Sequence, residues 1–174
     1  SAIKTCNDNG VYLAQFFRII SEENSPDIYQ AATDSEYYIG AVHENEVENG
    51  KNLVQMLLDK GDRNIGLIGW EQGDATWLGR WQGYQEGVEE WNEANPDDQA
   101  KLSEPQYAGT SSDGGSKAAE ALMSADDTID ALIPAGGGGD PLQGAIAAVE
   151  RAGKVDEIDV VSTDFLPDLG ERLE

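Results

Sequence analysis

The residues able to do chemistry in this chain gather in four short stretches, 70–80, 110–115, 136–140 and 162–168. Together they offer one guanidinium at Arg80, carboxylates at Asp74, Asp113, Asp140 and Asp164, hydroxyls at Thr76, Thr110, Ser111 and Thr163, and indoles at Trp70 and Trp77. Arginine is a fixed fork of donors and aspartate a fixed acceptor, so the two can grip adjacent hydroxyls, while an aromatic face covers neighbouring C–H groups. That inventory suits a small polyhydroxylated ligand. Spacing alone leaves other roles open. Arg80 shares a helical segment with Trp77, Trp81 and Tyr84 and also reads as a surface arginine. Trp77 and Trp81 read first as core packing, Trp70 fits either role at a strand end, and Asp164 also suits a turn cap before Pro167.

Other chemistry is excluded by what the sequence lacks. Cys6 and His43 are each the sole residue of their type, which removes an internal disulfide, a Cys/His metal cluster and the common Cys–His or Ser–His nucleophilic pairs. His43 has no second base or nucleophile beside it and reads as a hinge or surface residue. The run Gly136-Gly137-Gly138-Gly139 before Asp140-Pro141 invites comparison with a phosphate cradle, but neither Gly-x-x-x-x-Gly-Lys nor Gly-x-Gly-x-x-Gly is present. The expectation is a non-enzymatic protein with no catalytic set, no metal and no cofactor.

The elements that would position these residues are legible from periodicity. Continuous apolar runs at 37–42, 65–70, 106–110, 129–135 and 158–162 predict buried strands. Trp77, Trp81, Tyr84, Val88 and Trp91 form one helical stripe, and shorter stripes run through Val47 to Leu58, Ala118 to Met123 and Leu142 to Val149, two of them closed by Gly61 and Gly153. Strand and helix alternating in this way predict an α/β fold, a parallel sheet with helices on both faces. In such a sheet the ligand crevice lies beyond the carboxyl ends of the strands, which is the argument that selects the four stretches above. Upstream, 2–9 reads as the end of a helix, 11–17 as a further strand, and 21–35 as polar and irregular.

The 174 residues carry 34 acidic and 11 basic side chains, a net charge of −23 and a pI near 4.1. Phosphate repulsion makes nucleic acid an unsuitable partner. The acids are scattered rather than clustered in a tail, so they read as a solvated coat serving solubility or life in high salt, with a cationic ligand as the sharper alternative. No apolar run reaches the roughly 18 residues of a membrane span. The first residues lack the basic and apolar regions of a signal peptide, and the chain opens in mid-unit, so a fragment of a longer protein is expected.

Several segments in sequence carry a resemblance. They are Tyr38-Ile39-Gly40 before a helix with Glu48-Asn49-Gly50-Lys51; Lys60-Gly61-Asp62-Arg63-Asn64-Ile65-Gly66-Leu67-Ile68-Gly69; Arg80-Trp81-Gln82-Gly83-Tyr84; Ile129-Asp130-Ala131-Leu132-Ile133; and Asp159-Val160-Val161-Ser162-Thr163-Asp164. In this order they resemble type I periplasmic binding proteins of the ribose- and galactose-binding kind, which serve sugar importers and share their fold with the effector domains of Lac-repressor-type regulators. The resemblance implies two lobes, of which lobe one is incomplete: 1–40 as the end of lobe one, 41–165 as lobe two, and 166–174 returning through the hinge. It implies an extracytoplasmic protein, anchored to the membrane in its full-length form, that hands a sugar to a membrane ABC permease; a regulator's effector domain is the alternative. It places Arg80 on the family's ligand-gripping arginine, Asp164 on its ligand-binding aspartate, and Asp74 and Thr76 at polar contacts; Trp70 is a candidate from its strand-end position alone. Phe17-Arg18 falls where the family often has Asp-Arg. Gly138-Gly139 replaces a frequent Asn-Asp, which implies a backbone-mediated grip at Gly138 or a larger ligand.

Overall fold

The structure is a computed structural model that describes residues 1–16, 20, 22, 25–135 and 139–163. The chain divides into two compact units, one from Ser1 to Glu44 and the other from Asn45 onward.

In the first unit, α1 (Ala2–Asp8) is capped by the Ser1 side chain, which accepts from the Lys4 amide. It leads to β1 (Leu13–Phe16), then α2 (Pro26–Thr33) and β2 (Tyr38–Val42). The two strands pair in parallel, with a register shift between Leu13 and Ala14. The helix α2 corrects the irregular reading of 21–35 over its second half. Ser25-Pro26-Asp27 is a sound helix start, with proline in the first turn where its missing N–H costs nothing. Only Ala32 is buried.

The second unit is the predicted α/β sandwich. Its elements are α3 (Glu46–Lys60), β3 (Asn64–Gly69), α4 (Ala75–Ala94), β4 (Lys101–Leu102), β5 (Gln106–Tyr107), α5 (Ser112–Ala125), β6 (Ala131–Pro134), α6 (Gly139–Ala152) and β7 (Asp159–Val160). All pairings are parallel, in the order β4-β3-β6-β7 with β5 also on β3. The pleat divides the core in two. Ile65 and Leu67 of β3, with Ala131 and Ile133 of β6, point to Val54, Leu57, Trp77 and Tyr84 on α3 and α4. Ile68 and Leu132 point the other way, to Ala119, Leu122, Ala145 and Val149 on α5 and α6.

Strands β4 and β5 occupy one flank of β3 in two pieces, and sequence reading found only the second. Between them the Leu67 amide donates to the Ser103 hydroxyl at 2.9 Å, a side chain standing in for a strand carbonyl. The helices pack closely in pairs through glycine. A Cβ built on Gly83 of α4 would lie 2.0 Å from the Val47 carbonyl oxygen of α3, and Gly50 faces the Arg80 carbonyl with the same intolerance. Between α5 and α6, Gly115 faces the Pro141 carbonyl and Gly144 the Ser112 carbonyl.

Candidate functional site

The carboxyl ends of the strands in the second unit carry the described parts of all four stretches. Beyond Gly69 the chain passes through half-buried Trp70 and turns at Gly73, whose φ of +85° is glycine territory. It enters α4 at Asp74, whose carboxylate accepts from the Trp77 amide at 3.0 Å. Asp74 is therefore a helix cap. Thr76 sits half-buried in the first turn of α4. The Gly109 amide donates to the Trp70 carbonyl at 2.9 Å, joining the second stretch to the first. Ser111 caps α5, its hydroxyl accepting from the Gly114 amide, and the Ser162 hydroxyl donates to the Pro134 carbonyl at 2.7 Å.

Trp77 is core, fully buried. Its indole lies over Gly69, where a Cβ would come within 2.8 Å of the ring. It stacks on Trp81 and takes the edge of Tyr107. Glycine at 69 is thus what lets an indole lie under the strand end that carries Trp70.

Arg80 is the most informative residue. Its side chain is 8% exposed and its Nε donates to Glu46 Oε2 at 2.7 Å, with Glu46 itself 17% exposed. Asn49 donates to the same oxygen at 3.3 Å. Among the described residues the two Nη groups of Arg80 have no protein partner, and neither is sealed from solvent. A guanidinium buried along its stem and fixed at Nε, with no Nη partner among the described residues, can serve as a preset pair of donors. The alternative of a free surface arginine is thereby set aside.

Glu46 was missed by sequence reading. It is the first residue of α3, after Asn45, whose side chain caps the helix by accepting from the Glu48 amide at 3.2 Å. The available signal was Gly79 beside Arg80, since a Cβ there would stand 2.9 Å from Glu46 Cβ. Of the remaining predicted contacts, Phe17, Arg18, Gly138 and Asp164 lie outside the described residues. A shallow depression of about 510 Å³ between the distal half of α4 and the segment bearing Gln99 and Leu102 is remote from this end of the sheet and lined by exposed amide and carboxylate chains such as Gln85 and Glu89. Among the described residues no group of acids, His and Cys is arranged to hold a metal, and no helix is long and apolar enough to cross a membrane.

Neither a family model nor a curated protein matches this chain. Solved structures do match its fold. An ABC transporter periplasmic solute binding protein from Actinobacillus succinogenes 130z, with bound D-allose, superposes with a TM-score of 0.77 at 16% identity, over 99% of this chain and 56% of that one. A solute binding protein from Agrobacterium vitis with bound D-fucose gives 0.71 at 16% identity, over 98% and 53%. A sugar-binding transcriptional regulator of the LacI family from Escherichia coli, complexed with phosphate, gives 0.74 at 17% identity, over 98% and 63%. The chain thus spans little more than half the length of these structures. Parallel order, glycine-packed helix pairs and superposition agree that the chain has the type I periplasmic-binding-protein fold.

Proposed function

We propose that the chain is the larger part of an extracytoplasmic solute-binding protein that captures a sugar and delivers it to a membrane ABC permease. The observation that carries this is Arg80, held at Nε by Glu46 with no Nη partner among the described residues, in the segment after the carboxyl end of β3 that also bears Trp70, Asp74 and Thr76. A fixed donor pair in one segment with a carboxylate, a hydroxyl and an indole is chemistry for a neutral polyol. Phe17, Arg18, Gly138 and Asp164 complete the proposed contact set on the resemblance alone. We read 1–40 as the end of lobe one, 41–165 as lobe two and 166–174 as the return through the hinge. The effector domain of a regulator is a second reading, favoured by the regulator from Escherichia coli with the same fold. A basic helix-turn-helix encoded upstream would select it, whereas a signal peptide or lipid anchor would select the importer.

The test is thermal unfolding of the full-length protein with D-allose, D-fucose, pentoses, disaccharides and nucleosides. At a hundred times the dissociation constant, binding adds about 2.7 kcal/mol of stability. For a domain of this size that corresponds to a shift of roughly 5–10 °C. A shift with a sugar that Arg80→Ala removes supports the reading; sugars that bind Arg80→Ala as tightly as the parent protein overturn the site.

A further inference from the structure

The pairing of Arg80 with Glu46 settles more than orientation, because it also decides the charge that a ligand meets. Both side chains are mostly buried and joined at 2.7 Å, so the pair presents donors at Nη with no net positive charge. Among the described residues of the proposed contact set there is no second cation. Asp74 stands six residues earlier in the chain, and the whole molecule carries −23. An arginine without such a counter-ion would draw carboxylates and phosphates, since a bidentate carboxylate is its strongest partner. Here the carboxylate place at Nε is already filled from within the fold. The close approach of Gly79 to Glu46 Cβ, and the Asn49 amide donating to the same Glu46 oxygen, hold that carboxylate where it is.

We infer that Glu46 is a positioning and specificity-determining residue of the proposed sugar site, aligning the Arg80 Nη edge and cancelling its charge so that neutral sugars are taken and their acid counterparts refused. This rests on the sugar-binding reading above. Coulomb attraction is the deciding term. A ligand carboxylate meeting Arg80 also meets Glu46 a few ångströms behind it, so attraction and repulsion nearly cancel, whereas the hydroxyls of a neutral sugar need only the directed N–H groups.

The experiment measures dissociation constants of the full-length protein for D-allose, D-fucose, D-galactose, D-galacturonate and D-glucuronate, in the parent protein, Glu46→Gln, Glu46→Asp and Arg80→Ala. Expected is binding of at least one neutral sugar by the parent with no detectable uronate binding. In Glu46→Gln the preference moves towards uronates by about tenfold or more, and the gain weakens with added salt. Glu46→Asp keeps the parent's preference for neutral sugars. A merely structural role for Glu46 would lower all affinities together and leave their ratio unchanged, and that result overturns the inference. Because Glu46→Gln strands a buried guanidinium and can unfold the protein, the double variant Glu46→Gln/Arg80→Gln is measured beside it. It buries no unpaired charge, and uronate affinity appearing there overturns the inference as well. If Arg80→Ala binds neutral sugars as tightly as the parent, the site itself is wrong; if the parent binds none of the five, the sugar-binding reading fails and the role of Glu46 with it.

Discussion

Two arginines of the second unit, Arg63 and Arg80, show how local saturation separates structure from recognition. Arg63 donates from Nε and Nη2 to the two oxygens of Asp98, and from Nη1 to the Leu58 and Asp62 carbonyls, while its plane lies 4.5 Å over the Trp91 ring. Every part of that guanidinium is engaged, so it fastens the end of α3 to the end of α4. Among the described residues, Arg80 engages only Nε. The sequence made Arg80 a candidate through its place beyond a strand end, but its pairing with Glu46 joins residues 34 positions apart and no local pattern encodes it. Asp62 carries a different lesson. Burial, the charges of Asp159 and Asp130 and a hydrogen bond with Asp159 push its carboxyl up to about 6, against the opposing pull of Lys60. An acid raised in the folded state keeps its proton where the unfolded chain has lost it, so this group adds stability as the pH falls from 7 through 6 toward the ordinary carboxylate range. Asp62→Asn is expected to raise stability at pH 7.5 by about 1 kcal/mol, a figure reduced for partial solvation, and to flatten the rise between pH 6 and 4. Denaturant unfolding across that range checks it, and an unchanged slope refutes it. Below pH 4 the order reverses. Asp126, held well below the usual carboxylate range by the Thr128 hydroxyl, Lys101 and Asn64, and Asp98, held down by Arg63, are then protonated and their contributions lost.

At the scale of elements, glycine sets the spacing of both helix pairs. Gly83 and Gly50 let α3 and α4 touch backbone to backbone, and Gly115 and Gly144 do so for α5 and α6. Gly83→Ala is expected to cost about 2–3 kcal/mol, an overpacking penalty with no flexible side chain to yield. Gly61→Ala, in the left-handed cap of α3 with open space around it, is expected to cost only about 1 kcal/mol. Chemical denaturation of both variants checks the order, and equal losses would refute the packing argument. The long stripe of α4 was legible because Trp77, Tyr84 and Val88 repeat on one face and are all buried. The helix α2 was not, since it spans only 8 residues, and β4 was not, since two residues carry no period. Fold class is written in repetition, and short or solvent-facing elements have little of it.

Across the whole molecule, charge is distributed in a way composition could not show. Of the 11 basic residues, all nine that are described, namely Lys4, Lys51, Lys60, Arg63, Arg80, Lys101, Lys117, Arg151 and Lys154, lie in ion pairs with carboxylates. The described cations are thus committed, and most of the acid excess is left without a cationic partner among the described residues. Exposed pairs are worth roughly 0–1 kcal/mol each, so salt loses little by screening them and gains by screening the collective repulsion. Unfolding free energy is therefore expected to rise between 0.05 M and about 1 M potassium chloride; a fall over that range would show that the pairs outweigh the repulsion.

The divided flank of β3 bears on how this molecule can meet others. A long strand of apolar residues at a sheet margin is a template onto which a second chain can add. Here the neighbours of β3 on that side are two dipeptides, separated by Ser103-Glu104-Pro105, of which Ser103 bonds β3 through its amide and its hydroxyl. An incoming strand would find no continuous row of amides and carbonyls there, and proline offers no amide at all. Association along this margin must therefore proceed through side chains and surface shape, and the most apolar strand of the protein is kept from seeding fibrous self-assembly.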